Sequence, residues 1–568
     1  MKKVLIIIPA RGGSKGIPQK NLKFLGNKPL IYYSIKTAQR FKRVYKNTDI
    51  FVSTENKQIE IVAQMYGVSV IPRPYNLAKD NIGLDEVVLH ALEYLEGKGK
   101  SYEIIITLQP TSPLLKFHSL QKAFEQFLEK NLDTLISVTP KYHLMWKKEK
   151  DQLKPLFKGR LNRQFLSPIF EENGAFVISK VNILKNYKTR IYGNVNIYPL
   201  SEEEGIDIDN PMDFWLADSI IKQKKIGFVV CGNFLVGMGH VYRAITLYNS
   251  LCPPNKAYFF CNTSEEIAIK KLKSMNYPIV VYNDLDDLLI SLKKLGIQIV
   301  INDILDTTYE YVTKLKNEGF FVVNFEDKGT GSKEAHVVIN ALYEWTGDRK
   351  NFYFGHKFEC LREDIYIFPI KKKIRKKVKK IFVCFGGTDP SNITKRIINI
   401  FIKIKNFLLK EKISIDLILG FGYDKKREQE IREIIEKFQM YQFIRVLKDI
   451  QWIAPYIYDA DIAIISNGRM VYEVVSMAIP LIVIGQNYRE TLHTFSAIHP
   501  AIKYLGISSE ISDEQIESAI IKMLTNFKLR MEINQQLQKE AKSIREGNKR
   551  VISLIIQKYE EFLEEKKL

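Results

Sequence analysis

The chain has 568 residues, 46% of them hydrophobic and 26% charged, with only 20 prolines; that much apolar surface fills ordinary cores and excludes a disordered or fibrous chain. Five cysteines without a C-x-x-C pair exclude a disulfide framework and a thiolate zinc site, and point to a reducing, cytoplasmic setting. The 85 Lys+Arg outnumber the 64 Asp+Glu and give a net charge of +21, yet the dense basic runs at 371–380 and 147–150 read as solvated linkers or faces, so no nucleic-acid partner is expected.

VLIIIPA (4–10) is followed at once by Arg11 and Lys15, so it reads as a buried first strand rather than a signal peptide. No apolar window is long enough for a membrane span. DIFVST (49–54), VSVIPR (68–73), EIIITLQP (103–110) and DTLISV (133–138) continue as strands. Helical spacing over 29–41, 55–67 and 119–131 separates them, the βαβ signature of a parallel sheet. A second series runs through 225–233, 257–262, 278–283, 297–303 and 320–325, and a third through 380–390, 413–422, 443–447, 460–468 and 480–487. The expected class is therefore α/β: one domain over 1–222, then two lobes over 226–370 and 380–568. Residues 501–568 read as a charged closing helix without a site.

The loop after the first strand, PARGGSKGIPQKN (9–21), carries Gly12, Gly13 and Gly16, which let the backbone approach a phosphate. Arg11, Lys15 and Lys20 supply charge for phosphoryl oxygens. The loop meets neither the P-loop nor the dinucleotide fingerprint, and a plain glycine turn with solvated basic residues is the alternative. Asp207 and Asp209 in GIDIDNP alternate along an expected strand end, which puts both carboxylates on one side and suits Mg²⁺. The competing reading is a turn and helix cap, with Asp213 in the first helical turn.

Over 1–222 the sequence resembles the cytidylyltransferases that activate sialic and related nonulosonic acids to their CMP forms. The resemblance rests on PARGGSKGIPQKN, RPYNLA (73–78), LQPTSPL (108–114), RQ (163–164), NGAF (173–176) and IDIDNPMDF (206–214). It implies CTP and a nonulosonic acid as substrates. Arg11, Gly12, Gly13, Ser14, Lys15 and Asn21 would form the nucleotide site, with Lys20 and Asp209 in catalysis and Asp207 and Asp209 at Mg²⁺. Arg73, Gln109, Arg163, Gln164 and Asn173 would face the sugar acid. Leu115 and Lys116 stand after TSPL where that family usually has Arg. A homodimer through this domain is a further expectation.

In the second series, a strand, a glycine turn and a helix in GNFLVGMGHVYRAITL (232–247) place His240 near a helix N-terminus, where it can serve as a general base. GGT (386–388) is another glycine turn, and SNGRMVYE (466–473) sets Ser466, Asn467 and Gly468 ahead of Glu473. Two such lobes look like the GT-B architecture. More narrowly, 226–500 is similar to the UDP-sugar hydrolase of the pseudaminic acid pathway, through GMGHVYR, NFEDKG, YFGHKFECLRED, FGGTDPSNIT and GQN. That similarity implies a UDP-linked amino sugar as substrate and His240 as catalytic base. Gly387, Thr388, Ser466, Asn467, Gly468 and Glu473 would bind the nucleotide, and Asn487 would lie near the sugar. Val230 and Gly232 stand where that family carries Arg and Asp, and Leu305 where it carries Tyr. A glycosyltransferase with the same cleft, and a module that only binds a nucleotide sugar, remain alternatives.

Overall fold

A computed structural model describes residues 2–566 apart from 235, 254 and 345–349. Leu235, inside the second glycine turn of the sequence, lies outside the described residues. The chain divides into two compact units, Met1–Gln223 and Lys224–Leu568.

The first unit is built on seven strands: β1 (Val4–Pro9), β2 (Thr48–Thr54), β3 (Ser69–Pro72), β4 (Ile104–Leu108), β5 (Thr134–Lys141), β6 (Ile169–Lys180) and β7 (Val195–Pro199). Their spatial order is β7-β5-β6-β4-β1-β2-β3. All six residues of β1 are buried, as a strand covered by helices on both faces requires. The helix Leu30–Val44 covers one face with Ile31, Ile35, Ala38 and Phe41, spaced three and four apart. The sheet is mixed rather than parallel, because β6 runs antiparallel to both β4 and β5. Its first four residues, IFEE, are largely exposed, so it lacks the apolar run that marks the other strands. It follows the exposed two-stranded hairpin Trp146–Glu149/Gln152–Pro155.

The second unit holds two lobes. The first has β8 (Lys225–Val230), β9 (Lys256–Asn262), β10 (Ile279–Tyr282), β11 (Ile299–Asp303), β12 (Phe321–Phe325), β13 (Val337–Asn340) and β14 (Phe352–Phe354). They pair in the order β10-β9-β8-β11-β12-β13-β14, all parallel. The second has β15 (Lys380–Cys384), β16 (Ser414–Leu419), β17 (Ile444–Lys448), β18 (Ile462–Ser466), β19 (Leu481–Gly485) and β20 (Lys503–Ile507). These pair as β17-β16-β15-β18-β19-β20, again all parallel. Each lobe repeats the doubly wound 3-2-1-4-5-6 order, whose ligand crevice opens where the winding reverses, beyond the C-terminal ends of strands one and four. Here those ends belong to β8 and β11 in one lobe and to β15 and β18 in the other.

Two further expectations change. Residues 501–566 form β20 and three helices, Asp513–Thr525, Phe527–Arg545 and Gly547–Glu565, rather than the one closing helix expected over 501–568. The last of these returns to the first lobe and buries Val551, Ile555 and Tyr559 in its core. This return across the two lobes completes a GT-B-like arrangement. The basic run at 371–380 is stitched to the second lobe: Lys371 Nζ donates to the carbonyls of Tyr458 and Ala460 at 2.8 Å, and Arg375 pairs with Asp459 at 2.7 Å. Among the described residues no helix is long and apolar enough to cross a membrane.

Candidate active sites

In the first unit, the loop leaving β1 lies over the C-terminal ends of the sheet strands. Gly12 N–H donates to Glu55 Oε1 at 2.6 Å, and a Cβ on Gly12 would meet the Asn56 side chain at 2.5 Å. Only glycine keeps this turn close to the strand end. The buried Asn21 donates to the Arg11 carbonyl at 2.9 Å and so closes the loop on itself. Arg11 and Lys15 reach the same carboxylate, Asp80, at 2.8 and 2.6 Å. Lys15 first, and then Arg11, hold that carboxyl below its ordinary value through hydrogen bonds. Gly13 has open space around it, and Ser14 N–H donates to the Gly12 carbonyl at 3.3 Å.

Lys20 lies beside the acid pair, with Nζ 2.5 Å from the Ile208 carbonyl and 3.6 Å from Asp209 Oδ1. Residues 206–209 join no strand ladder. Ile208 is fully buried and donates its N–H to the Thr111 carbonyl at 2.8 Å. That hydrogen bond seats the segment between Asp207 and Asp209. Asp207 is half-buried with Oδ1 unpartnered, and burial raises its carboxyl, with Asp209 adding to the shift. Asp209 is exposed. The helix cap is also present, but Asn210 and Asp213 make it as a capping box. The acid pair and the cap therefore coexist on neighbouring residues.

The remaining residues expected at this site disperse. Gln109 follows β4 and lies against Gly174, where a Cβ would meet its Nε2 at 2.7 Å and Asp207 Oδ2 at 3.5 Å, so these three groups converge. Arg73 is buried, and its guanidinium donates to the Ser53 carbonyl at 2.6 Å and approaches Glu55 at 4.0 Å. Burial lowers its pKa. Asn173 spends its amide on the framework, accepting from Ser137 Oγ at 2.7 Å and donating to Thr139 Oγ1 at 3.0 Å. Arg163 and Gln164 are exposed, and Arg163 pairs with Glu202 at 2.6 Å.

In the second unit, a cavity of about 530 Å³ lies between the lobes at their two switch points, within the usual range for a small-molecule site. His240, Gly387, Thr388, Ser466, Gly468, Glu473 and Asn487 all line it. His240 is the second residue of the helix Gly239–Leu251. Its Nδ1 lies 2.5 Å from Oδ1 of Asp303, the last residue of β11. Arg243, one turn along the same helix and 1% exposed, donates Nε to Asp303 Oδ2 at 2.7 Å, Nη2 to Oδ1 at 2.6 Å and Nη1 to Glu326 at 2.9 Å. Burial alone would raise the Asp303 carboxyl, but the Arg243 charge and then His240 hold it well below the ordinary range. Burial pushes Glu326 up to about 7, with Arg243 opposing.

On the facing lobe, Gly386 takes the left-handed φ of 77° that opens the turn after β15. Asn467 turns away from the cavity lining and donates Nδ2 to the Glu490 carbonyl at 2.7 Å. Asn487 caps the short helix Tyr488–Thr491. Glu473 is buried with Oε2 unpartnered, and burial pushes its carboxyl up to about 7. At Gly232, a Cβ would meet Val241 at 2.8 Å, and its N–H donates to Glu265 Oε2 at 2.7 Å. No aspartate fits there without moving the helix that carries His240. Leu305 lines the cavity. Asp303, Arg243 and Glu326 are the site residues to which sequence reasoning gave no role.

Residues 5–158 match the model of the cytidylyltransferase family. An uncharacterized protein of Methanocaldococcus jannaschii is 27% identical over 334 residues, covering 53% of this chain and 66% of that protein. The N-acylneuraminate cytidylyltransferase of Streptococcus agalactiae serotype V is 30% identical over 219 residues, covering 37% of this chain and 52% of that protein. The chain thus spans about half to two thirds of the length of these curated relatives. Among solved structures, a crystal structure of Acinetobacter baumannii MurG aligns with TM-score 0.43 and 15% identity, covering 59% of this chain and 99% of that one. The cytidylyltransferase match thus lies within the first unit, and it is followed in the same chain by a unit of GT-B-like fold.

Proposed function

We propose that the first unit transfers CMP from CTP to a nonulosonic acid, and that the cleft of the second hydrolyses a UDP-linked amino sugar to UDP and free sugar. The family match over 5–158 carries the first reading, and the name of the Streptococcus relative supports the acid as acceptor. In this reading Arg11, Lys15 and Lys20 bind the triphosphate. The anomeric hydroxyl of the sugar acid gives its proton to solvent as its oxygen attacks the α-phosphate, and pyrophosphate leaves with the electron pair of the broken P–O bond. The orphaned Asp207 Oδ1 beside Asp209 and Lys20 fits a hard cation. Asp207 and Asp209 are the residues that would hold Mg²⁺, whose chemistry there is neutralisation of phosphate charge.

The single observation that carries the second reading is the His240–Asp303 contact at the mouth of the cavity. A carboxylate on Nδ1 fixes that nitrogen as the donor and leaves Nε2 as the acceptor, the tautomer a general base needs. His240 Nε2 takes a proton from water as its oxygen bonds to the anomeric carbon, and the bond to UDP breaks with its pair going to the phosphate oxygen. Backbone N–H groups of the turn at 386–388 and the turn at 466–468 are suited to the diphosphate. Incubation with UDP-linked diacetamido sugars, with product analysis by mass spectrometry, tests this. Free sugar and UDP support hydrolysis, transfer to an added acceptor replaces it with a glycosyltransferase, and binding without turnover leaves a nucleotide-sugar-binding module.

A further inference from the structure

Arg469 ends the turn Ser466-Asn467-Gly468 of the second lobe, and its side chain crosses the cleft. Nη1 donates at 3.0 Å to the carbonyl of Gly239, the residue directly ahead of His240 and the first of its helix. Nε donates at 2.7 Å to Glu359 Oε1, and Nη2 to the Cys360 carbonyl. One planar fork thus holds three acceptors at once, which an ammonium on a flexible stem does not reproduce.

The partner acid is fixed from behind. Glu359 is 1% exposed, and the closing helix Gly547–Glu565 begins against its backbone: a Cβ on Gly547 would lie 1.9 Å from the Glu359 carbonyl oxygen. Asn548 brackets Leu361 with hydrogen bonds of 2.8 and 3.0 Å. The Arg469 charge is thereby anchored to a rigid post, while its Nη1 touches the start of the helix that carries the base.

We propose that Arg469 is a positioning residue that couples occupancy of the nucleotide turn to the setting of His240. This rests on reading the cleft as a uridine-nucleotide site. A diphosphate seated on the turn at 466–468 shifts the residue that follows it. That shift reaches Gly239 through a direct hydrogen bond, and the adjacent His240 moves against Asp303.

The test uses the full chain with ¹³C/¹⁵N-labelled histidine, His240→Asn to assign the signal, and UDP as the probe. UDP binding is measured in parallel by calorimetry. In the wild type, UDP should shift the His240 ring resonances. In Arg469→Lys, which keeps the charge beside Glu359, UDP should still bind and the His240 response should be lost. Arg469→Gln combined with Glu359→Gln removes both charges, so no buried charge is left alone to unfold the site, and the same loss is expected. An undiminished His240 response in a variant that binds UDP overturns the coupling. A wild type that binds UDP without any His240 response overturns the coupling alone, and a wild type that does not bind UDP overturns the uridine-nucleotide reading with it.

Discussion

His240 Nδ1, on the helix that follows β8, and Asp303 Oδ1, at the end of the neighbouring parallel strand β11, are 2.5 Å apart at the point where the winding of the first lobe reverses. Arg243 pins that carboxylate with two further hydrogen bonds, so Asp303 stays ionised and keeps Nδ1 of His240 protonated. Asp303→Asn presents an amide that can turn its N–H toward Nδ1 and favour the wrong tautomer. UDP release from the sugar nucleotide should fall by on the order of 10²–10⁴, as for loss of a general base, and His240→Asn should fall comparably. UDP affinity should hardly change in either variant. Turnover of Asp303→Asn equal to wild type would remove His240 from the base role.

The contrast between His240 and Asp303 also shows where sequence reasoning ends. His240 announces itself through the local GMGH turn, whereas Asp303 lies 63 residues away and meets it only through sheet order. The signal that could have found it is the acid at the end of IQIVIND, since that strand neighbours the first in a doubly wound sheet. Strands such as β1, β8 and β15 were legible because they are buried on both faces and read as unbroken apolar runs. β6 and β20 were not, because half of one and most of the other are only partly buried. Arg469 and Glu359 stand inside the motifs SNGRMVYE and YFGHKFECLRED, but their pairing was not readable, because it spans 110 residues and exists only across the cleft.

Asp80 ties up two of the cations that the triphosphate would use, Arg11 at 2.8 Å and Lys15 at 2.6 Å. Its carboxylate is about half exposed and competes with an incoming anion rather than building the fold. Asp80→Asn should lower the KM for CTP severalfold with little change in kcat. The gap between variant and wild type should narrow as salt rises, because exposed charges are screened. Steady-state kinetics at two ionic strengths reads this directly. A higher KM in the variant would show instead that Asp80 holds the two side chains in their binding pose.

Asp207 and Asp209 separate activity from stability. Burial raises the Asp207 carboxyl, so a neutral amide at that position relieves a desolvation cost, and Asp207→Asn should melt no lower than wild type at neutral pH. Asp209 is exposed and Asp209→Asn should be neutral to stability. Pyrophosphate release from CTP with a nonulosonic acid should nevertheless drop steeply in both. Full activity in both variants would confine these acids to the turn before the capping box.

Glu473 gives the cleft a pH signature whose sign follows from its burial. Its carboxyl rises from 4.5 to about 7, with Oε2 unpartnered and with Arg362 and Arg469 only partly opposing the shift. The folded protein therefore holds a proton that the unfolded chain has already released across that window. Stability contributed by this group is present below about 4.5 and is lost as pH rises through about 7. Glu473→Gln is a permanent neutral analogue, so its melting temperature should gain on the wild type as pH rises from 4.5 to above 7, by a difference worth roughly 3 kcal/mol at most. Ribose hydroxyls donating to the ionised carboxylate would reverse the preference when UDP is bound. UDP affinity of the wild type should then increase with pH over the same window, and that of the Gln variant should stay flat. Melting curves and calorimetric titrations across the range check both slopes. Identical pH slopes in the two proteins would mean that Glu473 ionises freely in the native cleft and takes no part in holding the nucleotide.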